Sequence, residues 1–339
     1  MALAPADPVA DPWLLGVEIG GTKLQLGIGH GLGSLRALKR VRVDPSGRAE
    51  GILGQIQSAL PALLQATDLA FAEIEAVGIG FGGPVETSCG RTITSYQVAG
   101  WDSFPLADWF RDHFPIAQVI LENDSDSAGL AEARFGGGRG YSPVLYMNVG
   151  SGIGGALIVD GHIYRGRGQG AMEIGHVRVL TETPHGTRVA ELEQVASGWA
   201  IARSAQDEAA RLLEQGRDDS TMLSLAMGRP NLITAEIVAR AARAGDVLAR
   251  AILDRARSAV AFALTDAIAL LAPARIVLGG GVSLIGATEW LDPIRNLMIR
   301  DVFEPFRDHF EIVPAALGEE VVVHGALALA RDALRASRC

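Results

Sequence analysis

The sequence predicts an α/β protein of two lobes, and three observations carry that expectation. Short apolar runs that end in glycine alternate with segments whose apolar residues recur at helical spacing. The strand, glycine turn, strand design of residues 14–28 returns at residues 143–159, as though each lobe opened on the same hairpin. The 339 residues suffice for two lobes of ordinary size. Heptads, low-complexity tracts and short solenoid repeats are absent from the sequence.

In chain order, Leu14-Leu15-Gly16-Val17-Glu18-Ile19 and Leu24-Gln25-Leu26-Gly27-Ile28 are apolar strands joined through Gly20-Gly21-Thr22-Lys23. The paired glycines suit a tight hairpin. They also let backbone N–H groups approach an anion, with a hydroxyl from Thr22 and a charge from Lys23 beside them. A plain hairpin and a phosphate loop are both open on these residues alone. Ile52, Leu53, Ile56, Leu60, Leu63 and Leu64 predict an amphipathic helix over about residues 50–66, weakened locally by Pro61. A strand at 76–81 runs into Gly82-Gly83-Pro84, a turn able to bring backbone close to a ligand, and a second helix is expected from Trp101 to near His113.

Val119-Ile120-Leu121 then form a short buried strand that leads into Glu122-Asn123-Asp124, with a helix over residues 125–134. A carboxylate at a strand end, where a helix begins, is a usual place for a catalytic group in an open α/β sheet. Asp is also a favoured helix N-cap, so both roles are open for Asp124. The second hairpin carries Gly150-Ser151-Gly152-Ile153-Gly154-Gly155, and Asp160-Gly161 makes a further tight turn. Two anion-binding turns facing each other could grip a polyphosphate from both ends. The pair, with a carboxylate corner between them in sequence, is far more specific than one glycine turn.

The glycine-rich segment 166–176 ends on Glu173 and His176, which read either as ligand groups or as an arginine partner and a satisfied histidine. Glu193 reads as a ligand group or a surface helix residue, and Ser197 as the cap of a helix over about 198–215. Loops around a short apolar piece are expected over 216–233, and a helix from Thr234 through Ala244. Asp246 opens a long helix stopped by Pro273, apolar nearly all round and so central to its lobe. A strand at 275–278 ends in Gly279-Gly280-Gly281, a corner against which a flat ring can lie, or a simple turn. A strand at Ile312-Val313 and a last helix over 319–336, with Gly325 inside it, complete the chain.

Composition narrows the function classes. Hydrophobic residues at 48% and charged residues at 20% describe a globular protein. A net charge of -9 argues against nucleic acid as a partner and leaves room for a small phosphorylated ligand. Cys89 and Cys339 form neither a disulfide framework nor a zinc pattern, which fits a reducing cytoplasm. Residues 1–12 lack the marks of a targeting signal and read as a loose tail, and the apolar run 259–272 is too short for a bilayer.

Together these motifs resemble the ROK family of bacterial sugar kinases and regulators, over about residues 14–330. Glu18-Ile19-Gly20-Gly21-Thr22-Lys23 is similar to its first phosphate motif, Glu122-Asn123-Asp124 to its catalytic corner, and Gly150-Ser151-Gly152-Ile153-Gly154-Gly155 to its second phosphate motif. Residues 170–176 resemble its signature segment, Leu192-Glu193 its sugar-contacting Glu, and Leu278-Gly279-Gly280-Gly281-Val282 its adenosine motif. The resemblance implies a two-lobed actin-like ATPase fold of the ribonuclease H-like kind, with duplicated lobes and a cleft between them. The lobes would be residues 13–122, joined by a last helix at about 325–339, and residues 123–324.

The same resemblance implies ATP with magnesium carried on it, a hexose substrate and a homodimer. Asp124 would be the base; Gly83, Asn123, Asp124, Glu173, His176 and Glu193 would meet the sugar. Gly20, Gly21, Thr22, Lys23, Gly150, Ser151, Gly152 and Gly279 to Gly281 would meet the nucleotide. Glucose is the first expectation; fructose, N-acetylmannosamine or another hexose is the second, and a sugar-sensing regulator the third. Regulators of the family carry a long N-terminal helix-turn-helix, and about 12 residues precede the first strand here. Three departures stand out: Glu18 where Asp is usual, Ser151 where Thr is usual, and no cysteine in 177–190, where members often carry a zinc cluster. His176 and His185 alone are too few for a closed tetrahedral site, so no structural zinc is expected.

Overall fold

The computed structural model describes residues 11–116, 118–167, 170–183 and 186–338. The expected tail lies almost wholly outside these residues, and so does His185. The chain divides into two compact units. The first comprises the described residues of Met1–Phe135, Arg165–Gln169 and Leu317–Cys339, and the second those of Gly136–Tyr164 and Gly170–Ala316.

In the first unit, β1 (Trp13–Ile19), β2 (Lys23–Gly29) and β3 (Leu35–Arg42) form an antiparallel meander. Helix α1 (Arg48–Gln65) leads to β4 (Ile74–Phe81), which pairs parallel to β1. A small hairpin of β5 (Val85–Glu86) and β6 (Arg91–Thr92) and helix α2 (Leu106–His113) precede β7 (Gln118–Asn123), parallel to β4. The sheet order is β3-β2-β1-β4-β7. Helices α1 and α2 pack on one face through Ile52, Ile56, Leu60, Leu106 and Phe110. On the other face lies α10 (Val321–Arg338), whose Val323, Leu327 and Ala330 meet Leu14 and Ala76. Cover on both faces is why β1 and β4 are apolar along nearly their whole length.

The last helix sits unusually close to the sheet. A Cβ at Gly78 would lie 1.8 Å from the Ala326 carbonyl oxygen, and one at Gly325 would lie 1.9 Å from that of Ser127. Gly325 therefore marks the crossing with α3 (Asp124–Phe135) and not a break in the helix. Helix α3 falls in the first unit with α10. Helix α2 starts at Leu106 instead of Trp101, because Trp101 is buried in the core and Pro105 sets the start.

The second unit repeats the design. Strands β8 (Val144–Val149), β9 (Ile153–Val159) and β10 (His162–Ile163) form the meander, with Asp160 and Gly161 both at positive φ in the tight turn expected there. After the 3-10 turn that follows, a ribbon of β11 (Arg178–Thr183) and β12 (Gly186–Glu191) forms. Then come α4 (Glu193–Ala196), α5 (Gly198–Glu214), α6 (Thr221–Leu225) and α7 (Ala235–Arg243). Helix α8 (Val247–Leu271) is capped by the Asp246 carboxylate on the Ala249 N–H at 3.0 Å and ends on Ala272 in the left-handed region. Ile252, Val260, Leu264 and Ile268 bury it at the centre of the core, as its sequence implies. Strand β13 (Arg275–Gly279), helix α9 (Asp292–Asp301) and β14 (Glu311–Pro314) complete the order β10-β9-β8-β13-β14. No helix among the described residues is long and apolar enough to cross a membrane.

Candidate functional site

In the first unit, the parallel register puts three strand ends side by side. Ile19 of β1 pairs with Phe81 of β4, and Phe81 with Asn123 of β7. The next residues along each strand are Gly20, Gly82 and Asp124, so one edge of the sheet collects both glycine turns and the carboxylate. A Cβ at Gly82 would lie 3.4 Å from Asp124 Oδ2 and 3.5 Å from the Gly20 Cα. Asn123 caps α3: its Oδ1 accepts the Ser125 N–H at 2.8 Å and the Asp126 N–H at 3.3 Å. Its Nδ2 donates to the Gly83 carbonyl at 3.1 Å. Asp124 is the first residue of α3, and its Oδ1 accepts the Ser125 hydroxyl at 3.3 Å.

The first glycine turn is closed by the Gly20 N–H on the Lys23 carbonyl at 2.9 Å. Gln97 packs against this turn: a Cβ at Gly21 would lie 1.9 Å from its Oε1. Lys23 Nζ lies 3.1 Å from Glu18 Oε1 and donates to the Glu319 carbonyl at 3.1 Å. Gln25, opposite Glu18 across the hairpin, donates to Glu18 Oε2 at 2.6 Å. Burial pushes the Glu18 carboxyl above its usual range, against the pull of the Lys23 charge and the Gln25 hydrogen bond.

The second unit builds its turn differently. The Gly150 N–H closes on the Gly152 carbonyl at 2.9 Å. Glu193 Oε2 accepts the Ile153 N–H at 2.7 Å, and a Cβ at Gly152 would lie 2.5 Å from that oxygen. The first N–H of α5, from Gly198, donates to the Gly150 carbonyl at 2.8 Å. The structure thus sets Glu193, expected at the sugar, against the second glycine turn. Gly279 lies beside Asn148 in parallel register, and Gly280, at φ +89°, has no room for a Cβ, which would fall 2.4 Å from the Val149 carbonyl. The glycine corner and the second turn are therefore neighbours at one sheet edge.

Glu173 is exposed at the start of a 3-10 turn over Ile174–His176, and the His176 N–H donates to its carbonyl at 3.0 Å. This turn packs on the hairpin strand: a Cβ at Gly175 would lie 2.2 Å from the Ile153 carbonyl. The His176 imidazole is 3.4 Å from Glu191, whose other oxygen pairs with Arg178 at 2.8 Å. Arg178 and Glu191 are cross-strand partners in the β11–β12 ribbon. These two residues give His176 a polar setting in a segment without cysteines, and the sequence offers no signal for them. Among the described residues, no group of three or more His, Cys, Asp or Glu side chains could hold a metal ion.

The structure therefore assembles Gly20 to Lys23, Gly83, Asn123 and Asp124 in the first unit. It assembles Gly150 to Gly152, Glu173, His176, Glu193 and Gly279 to Gly281 in the second. A groove lined by Leu180, Thr181, Glu208, Leu248 and Arg255 shares no residue with either set, so strand ends and not cavity size mark the site.

Residues 14–333 match the ROK family. The glucokinase of Streptomyces coelicolor is 31% identical over 325 residues, spanning 94% of this chain and 97% of that protein. The kanosamine kinase of Amycolatopsis mediterranei is 30% identical, over 94% of this chain and 96% of that protein. A ROK family glucokinase from Streptomyces griseus, solved in complex with glucose and AMPPNP, superposes with a TM-score of 0.78 at 32% identity, covering 94% and 99% of the two chains. The two five-stranded mixed sheets match the actin-like ATPase architecture of that structure.

Proposed function

The chain belongs to the ROK family, and on that footing we propose that it transfers the γ-phosphoryl group of ATP to a hexose hydroxyl, with glucose as the first candidate. The carrying observation is the strand-end register that sets the Asp124 carboxylate beside Gly82 and Gly20. Phosphoryl transfer asks a protein chiefly for positioning and electrostatics. In this reading the N–H groups of Gly21, Thr22, Ser151 and Gly152 meet the phosphates, because those of Gly20 and Gly150 are spent within their turns. The Gly279-Gly280-Gly281 corner leaves backbone open to the adenosine. Magnesium arrives with the nucleotide.

Asp124 accepts the proton of the attacking hydroxyl as the oxygen reaches the γ-phosphorus. Asn123, Glu173 and His176 orient the ring. Glu193 serves the sugar through one oxygen while the other holds the second turn. The 31% and 30% identities to a glucokinase and a kanosamine kinase support the sugar-kinase class and leave the sugar to experiment. The test is ADP release measured over a panel of hexoses and amino-hexoses. Sugar-dependent release, strongest with glucose, is expected. Release with no dependence on sugar, or none with any sugar, would refute the reading.

A further inference from the structure

We propose that Arg165 and Glu122 form an ion pair that positions the Asn123–Asp124 corner, which makes Arg165 a positioning residue for the reaction. The inference rests on the phosphoryl-transfer reading for its role, though not for its geometry. Glu122 is the last residue but one of β7, and its side chain is only 3% exposed. Both carboxylate oxygens are engaged. Oε2 receives Arg165 Nε at 3.1 Å and also Nη2 of the same guanidinium. Oε1 receives the Asn123 N–H at 3.0 Å and the Thr87 hydroxyl at 3.2 Å. All of these residues belong to the first unit.

A buried carboxylate is retained at low cost only where a cation and hydrogen bonds answer it. Here the carboxylate answers in turn to the backbone of Asn123. That residue is pinned at three points: its N–H on Glu122, its Oδ1 on the start of α3, and its Nδ2 on the Gly83 carbonyl. A chain of contacts from Arg165 through Glu122 thus fixes the residue that precedes the proposed base. With Arg165 gone, the buried Glu122 side chain would lose its cation and the fork that orients it, and its hold on the Asn123 N–H would weaken. Misplacement of a reacting group by about 1 Å can cost on the order of 10²-fold in rate.

The experiment compares Arg165→Met, Arg165→Lys, Glu122→Gln and the double variant Glu122→Gln/Arg165→Met in the full chain. It reads kcat, KM for ATP, thermal midpoint and amide hydrogen exchange across residues 119–126. Arg165→Met is expected to lower kcat by about tenfold or more, to leave KM for ATP within about twofold of wild type, and to speed exchange at residues 123–126. Arg165→Lys keeps the charge, loses the fork and should recover part of the rate; it also carries the comparison should Arg165→Met fail to fold. The double variant should lose no more than the worse single variant, since both act through one contact.

A thermal midpoint lowered with kcat unchanged would reduce the pair to plain structure and overturn the proposal. So would single losses that multiply in the double variant. Absence of sugar-dependent turnover in the wild type would sink the kinase reading instead. The exchange measurement needs no activity, and unchanged exchange in Arg165→Met would then decide against the pair.

Discussion

The two glycine hairpins share a backbone design and differ in what holds them. At the first, support comes from within the hairpin and from the end of the chain: Lys23 on Glu18, Gln25 on Glu18, and both donors on the Glu319 carbonyl. At the second, support comes from outside the hairpin, through Glu193 on the Ile153 N–H and α5 on the Gly150 carbonyl. In the proposed reading each turn must hold backbone N–H groups in place for phosphate, and two unrelated polar arrangements would serve that. Motif likeness in the sequence therefore does not carry over to the residues behind the motif, and equivalent substitutions should act unequally.

The largest effect is expected behind the first hairpin. Gly78→Val drives a side chain into the Ala326 carbonyl of α10, a backbone atom that cannot step aside. It should destabilise by about 3 kcal/mol, read by urea unfolding. A loss within experimental error would mean that α10 does not hold the first sheet as described. Next is Glu193→Ala, which removes a charged acceptor from the Ile153 N–H. Loss of such a bond costs about 1.5–3 kcal/mol, so KM for ATP should rise at least about tenfold in initial-rate assays.

Asp246→Ala is the matched control in the same unit. It removes the cap of α8 and should cost about 1 kcal/mol of stability with KM for ATP unchanged. Equal KM effects from the two would show that Glu193 acts only through folding. The smallest effect is expected at Glu18→Gln. Burial raises the Glu18 carboxyl above its unfolded value, so its contribution is most favourable below the unfolded pKa and declines as pH rises through the folded one. Glu18→Gln should match wild type in acid and equal or exceed it toward neutral pH by about 1 kcal/mol. Chemical denaturation at several pH values reads this, and a variant that weakens relative to wild type with rising pH would contradict it.

The sequence was most informative where period and punctuation act locally. Asp246 and Pro273 bound α8, the glycine turns mark both hairpins, and the buried run before Glu122 marks β7. It was silent where only the fold selects a side chain's partner. Asp124 and Asn123 are both good caps, and only the fold shows that Asn123 takes the role. Strand β3 was not anticipated: as an edge strand with charged residues it lacks the apolar run that reveals β1. The ribbon behind His176 was invisible for a like reason, since Arg178 and Glu191 pair across strands. Glu122 and Arg165 are 43 positions apart and meet only after the chain has folded.

The central claim is that the carboxylate at the end of β7 serves as the base. The direct measurement is kcat of Asp124→Asn, with ATP and the sugar that wild type turns over, alongside its thermal midpoint. A kcat lower by about 10²-fold or more is expected, with the midpoint unchanged. A variant that folds and keeps near-wild-type kcat would contradict it.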